Sequence, residues 1–309
     1  MKKEQKDNRP IMVSIRCTVY NHEPYLRRCL DGFVMQQANF RFEVIVHDDA
    51  STDGSAIVIR EYATKYPDII KPILQTENQY SKHDGSIRRI MESRCVGKYI
   101  AICEGDDYWT SPDKLQKQVD FLETNLDYTM CFHKVAVEAD EEGLTQMYDK
   151  LEGRDYESNE ILKEWIVPTC STMFRKEVML ATPQDRRFIC SDIVWFLTAC
   201  RMGKIYCLPE VMGVYRRLST GMTMSELNKD SNIEKWIEHY KALEYHFPKA
   251  GKVARDWASL KMVLMLRINW SNYKMKCICL FFKYCCEGGV HFIYKLLAWF
   301  KHLIVVGNK

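Results

Sequence analysis

The chain has 309 residues, which is enough for one large domain or two of ordinary size. Hydrophobic residues make up 47% of the chain and charged residues 28%, a balance that is typical of globular proteins and excludes a wholly disordered one. The formal net charge is only +3, and no nucleic-acid partner is expected.

The charge is unevenly distributed along the chain. Residues 257–309 carry eight Lys or Arg and one acidic residue, Glu287, whereas residues 1–256 hold 36 Lys or Arg and 40 Asp or Glu. The first part therefore has a net charge of about −4 and the last part about +7. A basic terminal region of this kind predicts an anionic surface as its partner.

The 13 cysteines are spread from Cys17 to Cys286, and none forms a CxxC pair. Their odd number, and the place of several in apolar runs, predict reduced thiols in the cytosol and no disulfide framework. Cys277, Cys279 and Cys285 lie close in sequence to Cys286, but no histidine or CxxC pair stands at ligand spacing, which disfavours a metal site there. The first ten residues are polar and predict no secretory signal, and no uncharged apolar run reaches 18 residues.

Strands and helices alternate through the first two-thirds of the chain. Strands are predicted at 11–18, 42–48, 69–74, 99–103, 128–138, 172–175, 204–209 and 211–216. Helices are predicted from Pro24, over 55–66 and 86–95, from Pro112 with Ser111 as the N-cap, and over 192–202. This alternation predicts a parallel α/β sheet with helices on both faces.

Strand signals end near residue 225, and long helical runs follow. Between residues 290 and 306, polar or small residues recur at i, i+4, i+7 and i+11 from His291, beside a wide apolar face that includes Trp299. Such an amphipathic helix either packs on the body of the protein or lies in a membrane interface. We expect two domains, a sheet domain at 1–224 and a helical region at 225–309.

Acidic residues directly follow two of the predicted strands. Asp48 and Asp49 end the second strand, and Glu104-Gly105-Asp106-Asp107 follows the fourth. In an open parallel sheet, ligands bind outside the carboxyl ends of the strands. Crowded carboxylates there repel one another unless a cation joins them, and Mg²⁺ or Mn²⁺ completes its shell with water and phosphate oxygens. The pattern predicts a metal site that holds a diphosphate, with polar turns before the next helices as the alternative.

Three stretches of the sequence resemble the inverting glycosyltransferases of family 2, which have a GT-A fold: VSIRCTVYNHEPYLRRCLDGFVMQQ, EVIVHDDASTDGS and GKYIAICEGDDYWTSPDKLQKQVDFLETN. The resemblance runs from about Met12 to Arg217. Within the family, the sequence is most similar to the bacterial branch that has EGDDYW as its metal motif. It implies an α/β fold with a Rossmann-like, mostly parallel central sheet flanked by helices, followed here by a helical C-terminal extension. It also implies a hexosyltransferase-type enzyme that uses Mn²⁺ or Mg²⁺.

The resemblance implies roles for the matching residues. The nucleotide-binding residues would be Thr18, Tyr20, Asn21, Asp48, Asp49 and Asp106. The metal would be held by Asp107 and Asp106, with Glu104 beside them. Asp192 matches the late acid that acts as general base on the acceptor hydroxyl; its alternative is an acid favoured by the dipole at a helix start.

The sequence also departs from the family pattern. Relatives often follow the VYR strand with a histidine and glycines, whereas this chain has no histidine there, and Arg216, Arg217 or Thr220 would do related work. Ser191 stands where many relatives place an acid or a glycine. Trp109 either stacks on a sugar face or packs on the following helix.

The implied function is transfer of a sugar from a nucleotide-sugar, first of all a UDP-sugar, to a hydroxyl of a glycan or lipid-linked glycan in surface polysaccharide assembly. The basic C-terminal helix would hold the protein peripherally on the inner face of the cytoplasmic membrane. A catalytically silent nucleotide- or glycan-binding subunit stays open as an alternative. So does a sugar nucleotidyltransferase, although its Gly-rich signature does not follow the first strand. The GxGxxG fingerprint of NAD-binding enzymes is also absent there.

Overall fold

The computed structural model describes residues 7–82, 84–139, 148, 150–218, 233–272, 292–293 and 295–297, with the backbone alone for 265–272. The chain divides into two compact units. The first comprises Met1–Glu157, Ile166–Thr182 and Thr198–Leu218, and the second comprises Ser158–Trp165, Pro183–Leu197 and Ser219–Lys309. The second unit thus includes two segments that precede the predicted boundary at residue 224.

Among the described residues, the first unit contains one eight-stranded sheet. Its strands are β1 (Ile11–Val19), β2 (Arg41–Asp48), β3 (Ile70–Leu74), β4 (Tyr99–Ile102), β5 (Tyr108–Trp109), β6 (Tyr128–Ala139), β7 (Met173–Arg175) and β8 (Lys204–Arg217). Their order across the sheet is β3-β2-β1-β4-β7-β6-β8-β5. Strands β1 to β4 pair in parallel, as do β6 and β8. Strand β7 is antiparallel to β4 and β6, and β5 is antiparallel to β8, so the predicted mostly parallel sheet is confirmed.

The helices alternate with these strands and then follow them. They are α1 (Glu23–Val34), α2 (Ser55–Lys65), α3 (Ser86–Arg94), α4 (Lys114–Thr124), α5 (Ser158–Glu164), α6 (Lys176–Ala181), α7 (Ser191–Met202), α8 (Ile233–His246) and α9 (Gly251–Asn272). The prediction for the start of α4 was wrong, because this helix begins at Lys114 with Asp113 in the N-cap position. The Ser111 hydroxyl donates a hydrogen bond to the Asp113 carboxylate and does not cap the helix.

Strand β8 is continuous where the sequence predicts two strands. Its register against β6 shifts between Leu208, which faces His133, and Val211, which faces Lys134. Two residues of β8, Pro209 and Glu210, are therefore taken up in a bulge. A bulge accommodates a proline that cannot donate a ladder hydrogen bond, so the strand continues past it.

The central strands β1 and β4 are buried. All four residues of β4 are almost inaccessible to solvent, and so are Val13, Ile15 and Cys17 of β1. On the other side of β1, the Ser14 hydroxyl donates to the Glu43 carboxylate of β2 over 2.6 Å. Central parallel strands are covered on both faces, so they form a rigid support for the loops that follow them.

Aromatic residues of α8 and α9 pack together in the second unit. The ring centroids of Trp236 and Tyr240 are 5.5 Å apart, and those of Tyr240 and Trp257 are 6.1 Å apart, both nearly parallel. Most of the predicted amphipathic helix at 290–306 lies outside the described residues. No helix in the described part of the chain is long and apolar enough to span a bilayer.

Candidate functional site

The acidic stretch after β4 lies beside the end of β1. Beyond the paired part of β4, the Cys103 N–H donates to the Arg16 carbonyl over 3.1 Å, and the Gly105 N–H donates to the Thr18 carbonyl over 3.0 Å. On the other side of β1, the Asp49 N–H donates to the Val19 carbonyl over 2.9 Å. These main-chain bonds bring both acidic clusters to one edge of the sheet, as predicted for the ends of parallel strands.

Asn21 joins the loop after β1 to the loop after β2. Its N–H donates to the Ser51 hydroxyl over 2.9 Å, and its Oδ1 accepts the Thr52 N–H over 2.8 Å. Asn21 and Ala50 both have positive φ angles, of 57° and 61°. A left-handed backbone is costly for a residue other than glycine, although asparagine is enriched there, so the two loops hold each other in a defined shape.

The starts of α1 and α2 bind each other reciprocally. The Glu23 N–H donates to the Asp53 carboxylate over 3.0 Å, and the Glu23 carboxylate accepts the Gly54 N–H over 2.7 Å. The His22 N–H donates to the Ser55 hydroxyl over 3.0 Å. Helix starts leave such N–H groups without partners within the helix, so much of the DDASTDGS stretch serves to fix the β1–α1 loop.

The two acids that follow β2 differ in their partners. Both carboxylate oxygens of Asp49 accept main-chain N–H groups, from Gln79 over 2.7 Å and from Tyr80 over 3.0 Å. In buried Asp48, Oδ2 accepts the Ser51 N–H over 3.3 Å, whereas Oδ1 has no hydrogen bond within the described residues. Asp49 therefore orders the segment after β3, whereas Asp48 keeps one buried oxygen without a hydrogen-bond partner among the described residues.

The remaining predicted nucleotide-binding residues lie at the end of β1. Tyr20 is 48% exposed, Asn21 is also exposed, and Thr18 is half-buried. The carbonyl of Thr18 is held by the acidic loop, while the ring of Tyr20 faces solvent. Their predicted role in nucleotide binding stays a prediction.

Asp107 is a buried acid with like charges beside it. Asp107 is only 3% exposed, and its Oδ1 accepts the main-chain N–H of Arg216 over 2.7 Å. Burial raises the pKa of Asp107 well above its usual range, and the neighbouring carboxylates of Asp106 and Glu104 raise it further. A nearby cation would reverse this effect, because opposite charge favours the ionised form.

The guanidinium of Arg216 does not bind those carboxylates. It donates to the Asp106 carbonyl oxygen over 2.7 Å and to the Glu138 carboxylate over 3.0 Å. It also lies over the Tyr108 ring, whose hydroxyl donates to Glu138 over 2.6 Å. Arg216 thus fixes the main chain of the acidic loop, while Glu138 offsets its positive charge.

Asp106 and Asp107 suit a hard divalent cation, although no complete ligand set is in place. Within the described ranges, no three His, Cys, Asp or Glu side chains form a metal-binding group. Magnesium sites commonly use one or two carboxylates and take their other ligands from water and substrate phosphates. A buried carboxyl with a raised pKa beside a partly exposed one fits this pattern. The predicted participation of Glu104 as a third acid stays a prediction.

Trp109 belongs to the core, which favours the alternative that it packs on the following helix over the alternative that it stacks on a sugar. The side chain is only 2% exposed, and its indole N–H donates to the Cys170 carbonyl over 2.7 Å. The Phe33 ring packs edge-on against it at 4.8 Å, and Lys114 Nζ lies 3.6 Å from its centroid. Burial lowers the pKa of Lys114 to about 7. Trp109 therefore anchors the end of the acidic loop and does not reach a ligand.

Asp192 lies in the first turn of α7, in the second unit, and is half-buried. A carboxylate at a helix start is favoured by the helix dipole, whether or not it has a catalytic role. The predicted role of Asp192 as general base stays a prediction.

The sequence interpretation left His22 and Glu138 without a role. His22 follows Asn21 directly and is part of the polar cluster at the end of β1, a signal that could have identified it. Glu138 lies near the end of β6, and only its contact with Arg216 on β8 makes it relevant. No short-range pattern in the sequence reveals a contact between residues 78 positions apart.

The buried charge of Asp107 predicts that Asp107→Asn stabilises the metal-free protein. Asparagine keeps the acceptor for the Arg216 N–H and removes the repulsion. A raised folded-state pKa means that the wild type loses stability as pH rises through that pKa. The gain should therefore be negligible near pH 4 and largest near pH 8, with the melting temperature rising by roughly 2–4 °C per kcal/mol. A lower melting temperature for this variant than for the wild type at pH 8 would contradict the account. Asp106→Asn, which removes one repelling carboxylate but leaves the buried one, should give a smaller gain.

Comparisons with known sequences place these features in a family. The model of the family described as Glycosyl transferase family 2 matches residues 14–180, which is more than half of the chain. The uncharacterized protein Rv1520 of Mycobacterium tuberculosis H37Rv is 38% identical over 213 residues, which is 68% of this chain and 60% of that protein. TuaG of Bacillus subtilis, a glycosyltransferase named for teichuronic acid biosynthesis, is 24% identical over 241 residues, or 77% of this chain and 91% of TuaG. The chain therefore spans only about 60% of the length of the mycobacterial relative.

Solved structures support the same fold. Residues 1–349 of S. aureus TarS in complex with UDP-GlcNAc match with a TM-score of 0.61 at 17% identity, over 86% of this chain and 74% of that one. The mannosyltransferase PcManGT from Pyrobaculum calidifontis, in complex with GDP-Man and Mn²⁺, matches with a TM-score of 0.57 at 15% identity, over 96% and 87%. These likenesses confirm the predicted GT-A architecture. The match over residues 14–180 establishes that the chain belongs to glycosyl transferase family 2.

Proposed function

We propose that this protein is a metal-dependent inverting glycosyltransferase. It moves a hexosyl group from a nucleotide-sugar, a UDP-sugar in the first instance, to a hydroxyl of a glycan or lipid-linked glycan. The observation that carries the proposal is the buried Asp107 carboxyl beside Asp106 at the carboxyl ends of parallel strands, in a chain of this family. The UDP-GlcNAc bound to TarS and the GDP-Man and Mn²⁺ bound to PcManGT support this substrate class and this metal. The name of TuaG supports a role in surface polysaccharide assembly.

Asp106 and Asp107 would hold Mn²⁺ or Mg²⁺, with Glu104 as a supporting acid. Bound there, the cation would act as a Lewis acid and stabilise the charge that develops on the leaving diphosphate. The Arg216 N–H keeps Oδ1 of Asp107 oriented, and the Arg216 guanidinium keeps the Asp106 main chain in place. The protein therefore supplies a preorganised pair of carboxylates, which is the form in which electrostatic catalysis is most effective.

The nucleoside would bind at the ends of β1 and β2, against Thr18, Tyr20 and Asn21. Asp48 would accept a hydrogen bond through its buried Oδ1, the oxygen that has no partner in the described structure. Asp49 would act mainly by holding Gln79 and Tyr80, and so by shaping the segment beside the nucleoside.

Asp192 would accept the proton of the acceptor hydroxyl as the new C–O bond forms on the sugar face opposite the leaving diphosphate. The proposal rests on its match to the late acid of the family. Its place in the first turn of α7 is consistent with this role, because a helix start favours the ionised carboxylate that a base requires.

We also propose that the C-terminal region lies on an anionic membrane surface, at the inner face of the cytoplasmic membrane. Residues 257–309 carry a net charge of about +7. On α9, Leu260 and Leu264 are exposed one helical turn apart, and Leu297 is exposed in the last described segment. Basic residues combined with exposed leucines suit an interface of anionic headgroups and acyl chains.

The enzymatic proposal predicts that one class of nucleotide-sugar, with Mn²⁺, raises the melting temperature of the protein and is consumed in the presence of acceptor glycans. Panels of UDP-, GDP- and dTDP-sugars test this, with the released nucleoside diphosphate as the readout. Asp192→Asn should still bind the donor but transfer its sugar about 10²- to 10⁴-fold more slowly, which is the usual contribution of a general base.

The matched control is Glu234→Gln, because Glu234 is an exposed acid in the first turn of another helix, α8. It should leave donor binding and sugar transfer unchanged. An Asp192→Asn variant as active as the wild type would exclude Asp192 as the base. A protein that binds none of the donors would contradict the enzymatic proposal itself.

The membrane proposal predicts that the full chain sediments with vesicles of phosphatidylglycerol and not with vesicles of phosphatidylcholine, and that salt weakens the binding. Replacing both Leu260 and Leu264 with glutamate should weaken binding at least tenfold. Leu126→Glu, at an exposed leucine of the first unit, should not. Equal sedimentation of both variants would contradict a membrane contact through α9.

A further inference from the structure

His22 lies next to the acidic loop and has no part in the scheme above. Its Nε2 atom is 4.0 Å from Oδ2 of Asp106, which is too far for a hydrogen bond. The two side chains are 21% and 22% exposed, so both are accessible to a ligand from solvent. A ring nitrogen therefore faces the carboxylate that we assign to the metal and the diphosphate.

The position of His22 is fixed by its main chain. Its N–H donates to the Ser55 hydroxyl over 3.0 Å, and its carbonyl accepts the N–H groups of Tyr25 and Leu26, both over 2.9 Å. The preceding residue, Asn21, has a left-handed backbone that the loop after β2 holds in place. The imidazole is thus carried on an ordered loop, as a group that binds a substrate must be.

The imidazole packs against Gly105 within the acidic loop. A Cβ atom on Gly105 would lie 2.9 Å from Nδ1 of His22 and 2.9 Å from a methyl group of Val19. Both distances are shorter than real Cβ contacts, so any side chain at this position would displace the ring or the loop. Glycine is therefore required there by the close approach of His22.

The surroundings of Nδ1 argue against metal ligation by His22. Nδ1 is buried and has no hydrogen-bond partner in the described part of the protein. A metal-ligating histidine almost always donates its other ring N–H to an acceptor. If Nε2 bound the metal, the proton would sit on Nδ1 as a buried N–H without an acceptor, which is unfavourable. The arrangement favours the tautomer in which Nε2 carries the proton and faces the acidic loop.

We propose that His22 is a substrate-binding residue whose Nε2–H donates a hydrogen bond to a diphosphate oxygen of the nucleotide donor, beside Asp106. This inference rests on the proposed glycosyltransferase function. An N–H group beside carboxylates that hold a cation suits an anionic oxygen, and hydrogen bonds to ionised acceptors are roughly twice as strong as neutral ones.

Two polar variants of the full chain separate this role from a merely structural one. In His22→Gln the amide nitrogen comes close to the position of Nε2, whereas in His22→Asn it comes only as far as Nδ1. Calorimetric titrations with Mn²⁺ would compare UDP with UMP, and in parallel GDP with GMP and dTDP with dTMP. We expect His22→Asn to bind the diphosphate about 10- to 100-fold more weakly than the wild type does. Its affinity for the monophosphate should change much less. His22→Gln should recover most of the lost affinity for the diphosphate.

The possible outcomes distinguish a failure of the role of His22 from a failure of the proposed glycosyltransferase function. A wild-type protein that binds none of UDP, GDP and dTDP would overturn the proposed function, and this inference with it. If the wild type binds a diphosphate and both variants bind it within twofold of the wild type, the role of His22 is wrong while the proposed function stands. Equal losses in the two variants would indicate a structural role and would also overturn the inference. Nitrogen couplings to bound Mn²⁺ in the electron spin-echo spectrum of the wild type that disappear in His22→Gln would show a metal ligand instead.

Discussion

The buried carboxyl group of Asp107 imposes the constraint on which the rest of the site depends. An ionised carboxylate out of water is unfavourable unless a cation or several hydrogen bonds compensate it. Arg216 gives Asp107 one main-chain hydrogen bond, but its guanidinium is directed to the Asp106 carbonyl and to Glu138. Within the described residues, the fold thus holds the acids together, while the Arg216 guanidinium binds other groups and not their carboxylates. The raised pKa favours the protonated form of Asp107, and an external cation would favour its ionised form.

The second organising feature is the interlocking of the loops that follow β1 and β2. The polar residues of DDASTDGS look in sequence like a set of ligands, but several of them bind main-chain groups of the neighbouring loop. This arrangement holds Asn21 in a left-handed conformation and places His22 against Gly105. The polar stretch therefore contributes to function mostly by fixing the geometry of other residues, and Asp48 is its clearest candidate for direct contact with a ligand.

Local sequence patterns identified the features that depend on residues close together in the chain. Apolar runs that end in Asp48 and in Glu104 predicted the strands and the edge at which the acids meet, because parallel strands share that edge. The burial of Trp109 was not predictable in this way, since it depends on contacts with Phe33 and Cys170 from distant parts of the chain. The two-residue strand β5 is too short to show a period, and it exists because Tyr108 and Trp109 pair with β8. The link between Glu138 and Arg216 likewise arises only once β6 and β8 are neighbours.

The most direct test of the central claim is the affinity of the protein for Mn²⁺ as a function of pH, measured by electron paramagnetic resonance in the presence of UDP. The account predicts that the affinity of the wild type increases with pH, over a range above that of an ordinary carboxyl group, because the metal must displace the proton of Asp107. It predicts weak binding without that increase for Asp107→Asn. An Asp107→Asn variant that binds Mn²⁺ as tightly as the wild type at every pH would contradict the account.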